Sequence, residues 1–157
     1  MLVTINTDAS FHSGLKYGAF AFWAICDDFK ITKSGVFRSK CIDSNDAEAR
    51  CIINALRVVV LAHKGITRII VNTDSLNAIA LITNDKIHLD RYIGKGRSRW
   101  KHILKAYHET IKGRSLKIEF RHVRAHSGVK DARSYVNEWC DLEAKRQLRL
   151  KTQLNEN

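Results

Sequence analysis

Two β-branched runs of the chain end in the same pair of residues, a threonine followed by an aspartate. The first run ends at Asp8 and the second at Asp74. Runs of this composition are typical of buried strands. A helical pattern at residues 45–63 lies between them, and helical crossovers connect parallel strands. Both aspartates are therefore expected at the carboxyl edge of one sheet, where ligands bind in sheets of this kind.

The other segments complete a mixed α/β sheet. The predicted strands are residues 2–9, 17–26, 29–38, 66–73 and 116–123, and the predicted helices are 45–63, 75–82, 97–112 and 134–150. The first three strands follow one another without a helix, which predicts antiparallel pairing. Crossovers make strands 1, 4 and 5 parallel. We expect a five-stranded mixed sheet flanked by helices, in one domain over 1–150, with a frayed polar tail at 151–157.

The charge of the chain predicts a polyanionic partner. The 157 residues have a formal net charge of +11, and a surplus of this size favours nucleic acid, although a basic surface that only aids solubility is the alternative. Residues 91–117 carry nine Lys or Arg against one acid, Glu109. A helix over 97–112 would present a row of cations beside an apolar stripe that includes Trp100. The candidate contacts there are Lys95, Arg97, Arg99, Trp100, Lys101 and Lys105.

The cysteines and the apolar runs indicate a cytoplasmic protein. The four cysteines are scattered and form no C-x-x-C pair, so reduced thiols are expected and a zinc site is not. No signal-peptide pattern is evident at the start. The longest apolar run, residues 58–62, is too short to cross a bilayer. We therefore expect no membrane association.

Two further acids join the strand-end aspartates. Glu48 shares the apolar stripe of its predicted helix with Cys51, Ile52, Ala55 and Val59. An acid on that stripe points toward the sheet. Asp141 lies near the start of the last predicted helix. Each acid alone has a plainer interpretation: Glu48 in a capping box with Asn45, Asp74 as a helix cap, Asp141 as a surface acid. Together they predict a site for Mg²⁺ or Mn²⁺, which prefer oxygen ligands.

Five short motifs, in order along the chain, resemble those of type 1 ribonuclease H. They are Thr-Asp-Ala-Ser at 7–10, Asn-Asp-Ala-Glu-Ala at 45–49, Asn-Thr-Asp-Ser at 72–75, the loop at 122–128 and Asn-Glu-Trp-Cys-Asp at 137–141. The resemblance implies that Asp8, Glu48, Asp74 and Asp141 are catalytic acids that bind two Mg²⁺ ions, or Mn²⁺. It also implies that His126 is the loop histidine that assists proton transfer or release of product and metal.

The resemblance further implies a substrate, an RNA–DNA hybrid whose RNA strand is cut to leave a 3′-hydroxyl and a 5′-phosphate. The basic segment would grip the DNA strand. Candidates for recognising the ribose 2′-hydroxyl are the backbone of Ala9 and Ser10, the side chain of Asn45, and Ser44. Ala9 and Ala125 replace glycines common in the family, and the interval from His126 to Asp141 is long. These departures indicate a divergent member.

Two other functions remain open at the level of the sequence. Related folds include exonucleases and junction resolvases. The D-x-E motif of proofreading-type exonucleases is missing, because Ala9 and Ser10 follow Asp8. A junction resolvase would usually be a dimer, and the sequence shows no dimer surface, so we expect a monomer. A non-catalytic nucleic-acid-binding module is the second alternative, and the complete set of four acids disfavours it.

Overall fold

A computed structural model describes residues 1–124 and 132–156 of the chain. Its strands are β1 (Leu2–His12), β2 (Tyr17–Ile25), β3 (Lys30–Val36), β4 (Arg68–Thr73) and β5 (Lys117–His122). Its helices are α1 (Ser44–Ala62), α2 (Leu76–Thr83), α3 (Lys86–Tyr92), α4 (Lys101–Ile111) and α5 (Ala132–Glu156), with a 3₁₀ helix at Gly94–Trp100.

The sheet confirms the predicted topology. The five strands lie in the order β3-β2-β1-β4-β5. β1 and β3 each pair with β2 antiparallel, whereas β4 pairs parallel with both β1 and β5. β1 runs past the predicted end at residue 9. Its pairing with β4 stops at Asn6, but its pairing with β2 continues to His12. Asp8 therefore lies within a strand, just beyond the last residue that β4 covers.

The two faces of the sheet are covered by different helices. Neighbouring residues in a strand point to opposite faces. Phe22 of β2 belongs to the large core that includes Ile52 and Leu56 of α1. The adjacent Ala21 packs instead against Cys140 and Ala144 of α5. α1 and α5 thus approach β1 from opposite sides, which places the acids of both helices beside that strand.

The helix caps differ from the expected ones. Asp43 caps α1, since its side chain accepts a hydrogen bond from the backbone N–H of Asp46 at 2.9 Å. Ser75 caps α2 by accepting one from the N–H of Ala78 at 3.0 Å. The capping interpretations of Glu48 and Asp74 were therefore wrong, because neighbouring residues form both caps.

The region between α2 and β5 contains more helix than the sequence predicted. α3 lies between the predicted helices at 75–82 and 97–112, where the sequence assigned no helix or strand, and Asp85 is its cap. Gly94, the first residue of the 3₁₀ helix, has a φ of +71°, a conformation that glycine adopts readily. The predicted helix at 97–112 merged this 3₁₀ helix with α4. The two have similar periods over a few turns, so an apolar stripe does not distinguish them.

The last helix is longer than expected. α5 continues to Glu156 instead of fraying after Leu150. Two contacts with Tyr17 of β2 hold its final turns: the ammonium of Lys151 lies 5.1 Å from the ring centroid, and the amide of Asn155 donates to the phenol oxygen. Across the described residues, no helix is long and apolar enough to cross a membrane.

Candidate active site

Three carboxylates meet at the carboxyl edge of the parallel strands. Asp8 comes from β1, Glu48 from α1, and Asp74 directly follows β4. One carboxylate oxygen of each lies within 4.8 Å of the others. The backbone N–H of Ala9 donates to Oδ1 of Asp8 at 2.9 Å and to Oε1 of Glu48 at 3.3 Å. A single amide thus holds two of the three acids in place.

The electrostatics of this cluster favour a bound cation. Burial, with the negative charges of Asp74 and Asp141, raises the pKa of Asp8 to about 7. Burial and the charges of Asp8 and Asp74 raise the pKa of Glu48 well above its usual value. Within the described part of the chain, the buried Oε2 of Glu48 has no hydrogen-bond partner. An unpartnered buried oxygen beside two other carboxylates fits the ligand set of a hard divalent cation.

Asp141 lies near the three acids but outside their group. Its negative charge contributes to the raised pKa of Asp8, which indicates proximity. Its Oδ2 accepts a hydrogen bond from Lys145 one turn later on α5, at 3.0 Å. The preceding Cys140 anchors this part of α5 to β1, because its thiol lies 3.5 Å from the carbonyl oxygen of Asn6. The structure therefore brings three predicted acids together and leaves the fourth beside them, paired with a lysine.

Ala9 occupies a position where the resemblance implies glycine, yet its backbone is ordinary. Among the described non-glycine residues, only Lys16 and Asn84 have positive φ. Ala9 pairs with Phe20 in the regular β1–β2 ladder. Alanine therefore fits at this position without backbone strain. Ala125 and His126, the other residues of interest near the site, lie outside the described residues.

A cleft of about 570 Å³ opens beside the acids. It is lined by Ser44, Asn45, Glu48, Asp74, Ser75, Leu76, Asn77, His88, Tyr92 and His122. Ser44 and Asn45 were predicted to contact a ligand. Ser10 lies on β1, two residues beyond Asp8.

Sequence reasoning assigned no site role to six residues of this cleft: Ser75, Leu76, Asn77, His88, Tyr92 and His122. The strand-end rule that selected Asp74 also applies to His122. It ends β5, pairs with Thr73 in register, and its Nε2 lies 3.2 Å from the carbonyl oxygen of Asp74. His88 and Tyr92 lie on α3, which the sequence pattern did not resolve. No pattern marked Asn77.

The predicted basic surface is present in part. Lys95, Arg99, Lys101 and Lys105 are exposed, while the side chain of Arg97 lies outside the described part of the chain. Trp100 is 7% exposed and belongs to the core, so its ring is not offered to a ligand. The apolar stripe to which the sequence assigned it accounts for this burial. The guanidinium of Arg99 lies 5.2 Å from its ring centroid.

A family model places the chain among known proteins. The RNase H model matches residues 2–149, nearly the full length. The chain belongs to the RNase H family. This family and the carboxylate cluster together indicate a nuclease of the hydrolase class. Among curated protein sequences, none matches this chain significantly.

Solved RNase H structures share the fold at low sequence identity. RNase H1 from the halophilic archaeon Halobacterium salinarum NRC-1 is 18% identical with a TM-score of 0.58, and the match covers 95% of this chain and 98% of that one. The N-terminal RNase H domain of a Mycobacterium tuberculosis protein is 15% identical with a TM-score of 0.68, covering 98% of each chain. LC9-RNase H1, a type 1 RNase H with the type 2 active-site motif, is 20% identical with a TM-score of 0.61, and the match covers 93% of this chain and 73% of that one.

Proposed function

We propose that this chain is an endoribonuclease that hydrolyses the RNA strand of RNA–DNA hybrids, leaving 5′-phosphate and 3′-hydroxyl ends. The observation that carries this proposal is the cluster of Asp8, Glu48 and Asp74, which share one edge of an RNase H sheet within 4.8 Å of one another. A cluster that raises the pKa values of its own members is well suited to a multivalent cation and poorly explained by stability alone.

Asp8, Glu48 and Asp74 would hold the metal, with Asp141 completing the set of four. Two Mg²⁺ ions, or Mn²⁺, would activate water and stabilise the leaving oxygen in such a site. The amide of Ala9 keeps Asp8 and Glu48 oriented. We assign His126 the role of assisting proton transfer or product release. His122 reaches the Asp74 carbonyl and would steady the end of β4.

The substrate would lie along the cleft and across the basic surface. Ser44 and Asn45 line the cleft beside the acids, and with the backbone near Ala9 and Ser10 they would contact the RNA strand. The Ala9 N–H already donates to two carboxylates, so the backbone of Ser10 is better placed than that of Ala9 to contact the RNA strand. The basic side chains that would grip the DNA strand are Lys95, Arg97, Arg99, Lys101 and Lys105.

We also propose that the protein acts in the cytoplasm as a monomer. All four cysteines are free thiols, which suits a reducing compartment.

The test offers four labelled substrates side by side, with and without Mg²⁺: an RNA–DNA hybrid, duplex DNA, duplex RNA and a four-way junction. We expect metal-dependent cleavage of the hybrid alone. Asp74→Asn should abolish cleavage, whereas the control Asp28→Asn should not. The control removes the same charge, but Asp28 lies in the exposed turn after β2, at the opposite edge of the sheet. Preferential cutting of another substrate would overturn the proposal. Retention of an uncut hybrid would identify a binding module.

A further inference from the structure

A chain of two hydrogen bonds links three helices through side chains that line the cleft. Nε2 of His88, on α3, lies 2.7 Å from Oδ1 of Asn77, on α2. The Nδ2 of Asn77 then donates to Oδ1 of Asn45, on α1, at 3.2 Å. All three side chains are half-buried and line the cleft beside Glu48 and Asp74.

The chain of hydrogen bonds has a definite direction. An asparagine amide has one donating and one accepting end. Because Asn77 donates to Asn45, its remaining Oδ1 must accept, and the Nε2 of His88 must donate. Both the imidazolium and the Nε2-protonated neutral ring supply that hydrogen. The hydrogen that His88 supplies therefore favours one orientation of the Asn77 amide. In that orientation Oδ1 of Asn77 faces His88 and Nδ2 faces Asn45.

His88 is itself held in position. Its backbone N–H donates to Oδ1 of Asp85, the cap of α3, at 3.2 Å. Its ring packs against Tyr92, with ring centroids 4.6 Å apart. Tyr92 is one turn later on the same helix and also lines the cleft. Asp85 thus holds the backbone of His88 and Tyr92 packs against its ring.

We infer that His88 and Asn77 are positioning residues that orient the Asn45 amide toward the substrate with its NH₂ group outermost. The Oδ1 of Asn45 is occupied by Asn77, while its Nδ2 donates to no acceptor among the described residues. That NH₂ group would meet acceptors of the minor groove: ribose 2′-hydroxyl oxygens and the O2 or N3 atoms of bases. The inference deepens the proposed function and rests on it.

Loss of the donor should weaken recognition without changing the chemistry. In His88→Ala, Asn77 can turn over and present Oδ1 to Asn45, which then presents its own oxygen to the substrate acceptors. A lost neutral hydrogen bond corresponds to about a threefold to tenfold effect. We expect His88→Ala to raise KM for the hybrid by about that factor with kcat retained. His88→Gln should restore most of the affinity, since a glutamine amide can donate to Asn77.

A double-mutant cycle with Asn45→Ala tests whether His88 acts through Asn45. We expect His88→Ala to change KM no further once Asn45 is alanine. An equal rise in KM in both backgrounds would overturn the inference, because His88 would then contact the substrate directly or only support the fold.

If His88→Ala fails to fold, the pair His88→Gln and His88→Glu carries the same test. Glutamate has the same shape as glutamine but only accepts, so it should reverse the amides. Its added charge repels phosphate in either background, whereas the orientation effect requires Asn45. The measured quantity is the KM of His88→Glu divided by that of His88→Gln, with Asn45 present and with Asn45→Ala. The same ratio in both backgrounds would overturn the inference. A wild-type enzyme that leaves the hybrid uncut overturns the proposed function, and with it the inference.

Discussion

At the scale of single residues, a carboxylate buried beside two others is costly unless a proton or a cation neutralises it. Glu48 is in this position, with an unpartnered Oε2 within the described part of the chain and a pKa well above its usual value. Its apolar stripe in the sequence predicted the inward orientation, because helical periodicity reports which face is buried. The pattern could not predict the hydrogen bond to Ala9, since no periodicity links residues of different elements.

Glu48→Gln should separate activity from stability. Glutamine keeps the shape of the side chain and removes one of the mutually repelling charges. We expect cleavage of the hybrid to fall by at least about 100-fold, while the metal-free protein becomes equally or more stable, a known cost of functional sites. Thermal unfolding without metal, beside a cleavage assay, checks both. A lowered melting temperature would contradict the view that the cluster is strained without a cation.

The raised pKa of Asp8 predicts how stability depends on pH without metal. The folded pKa is about 7 against an ordinary value of 3.8, so the folded state holds a proton that the unfolded state releases. Stability contributed by this group is therefore lost as the pH rises from about 4 to about 7. The free energy of unfolding in urea, measured for the wild type and for Asp8→Asn, should diverge in favour of the variant over that window. Parallel curves would contradict the prediction.

At the scale of elements, the fold depends on side-chain contacts that the sequence pattern does not predict. Asp46 is fully buried, and its carboxylate accepts from the backbone of Ile42 at 2.8 Å. It also pairs with Arg50 at 3.1 Å and lies 2.7 Å from Nε2 of His102. This one acid therefore ties the start of α1 to the preceding loop and to α4. The motif at 45–49 predicted a role for Glu48 but none for Asp46.

Asp46→Ala should destabilise the fold by about 2 to 3 kcal/mol. The loss includes the hydrogen bond to Ile42, but Arg50 and His102 are partly exposed and can turn toward solvent. Asp43→Asn is the matched control, since asparagine caps a helix as well as aspartate, and it should be nearly neutral. Chemical denaturation monitored by circular dichroism measures both. Equal effects of the two variants would show that the buried carboxylate contributes nothing specific.

At the scale of the whole molecule, the site arises because α1 and α5 cover opposite faces of β1. The sequence predicted the sheet, its topology and the meeting of Asp8, Glu48 and Asp74, because strand composition and crossover rules report on those features. It did not predict α3 or the wall of the cleft formed by His88 and Tyr92. Short helices have weak periodicity, and the place of α3 in the fold follows from its packing against α2.

The net charge of +11 predicts a strong dependence of hybrid binding on salt. Lys101 and Lys105 lie one turn apart on the exposed side of α4, a spacing that suits contact with successive phosphates. Removing a lysine that neutralises one phosphate lowers the slope of log K against log salt concentration by about 0.9. We expect Lys101→Ala and Lys105→Ala each to flatten the slope by about that amount and to raise KM with kcat retained. Lys64→Ala is the control, since this exposed lysine precedes β4 at the opposite edge of the sheet. If Lys64→Ala flattens the slope equally, the attraction comes from the charge of the whole molecule, and α4 is not a specific contact surface.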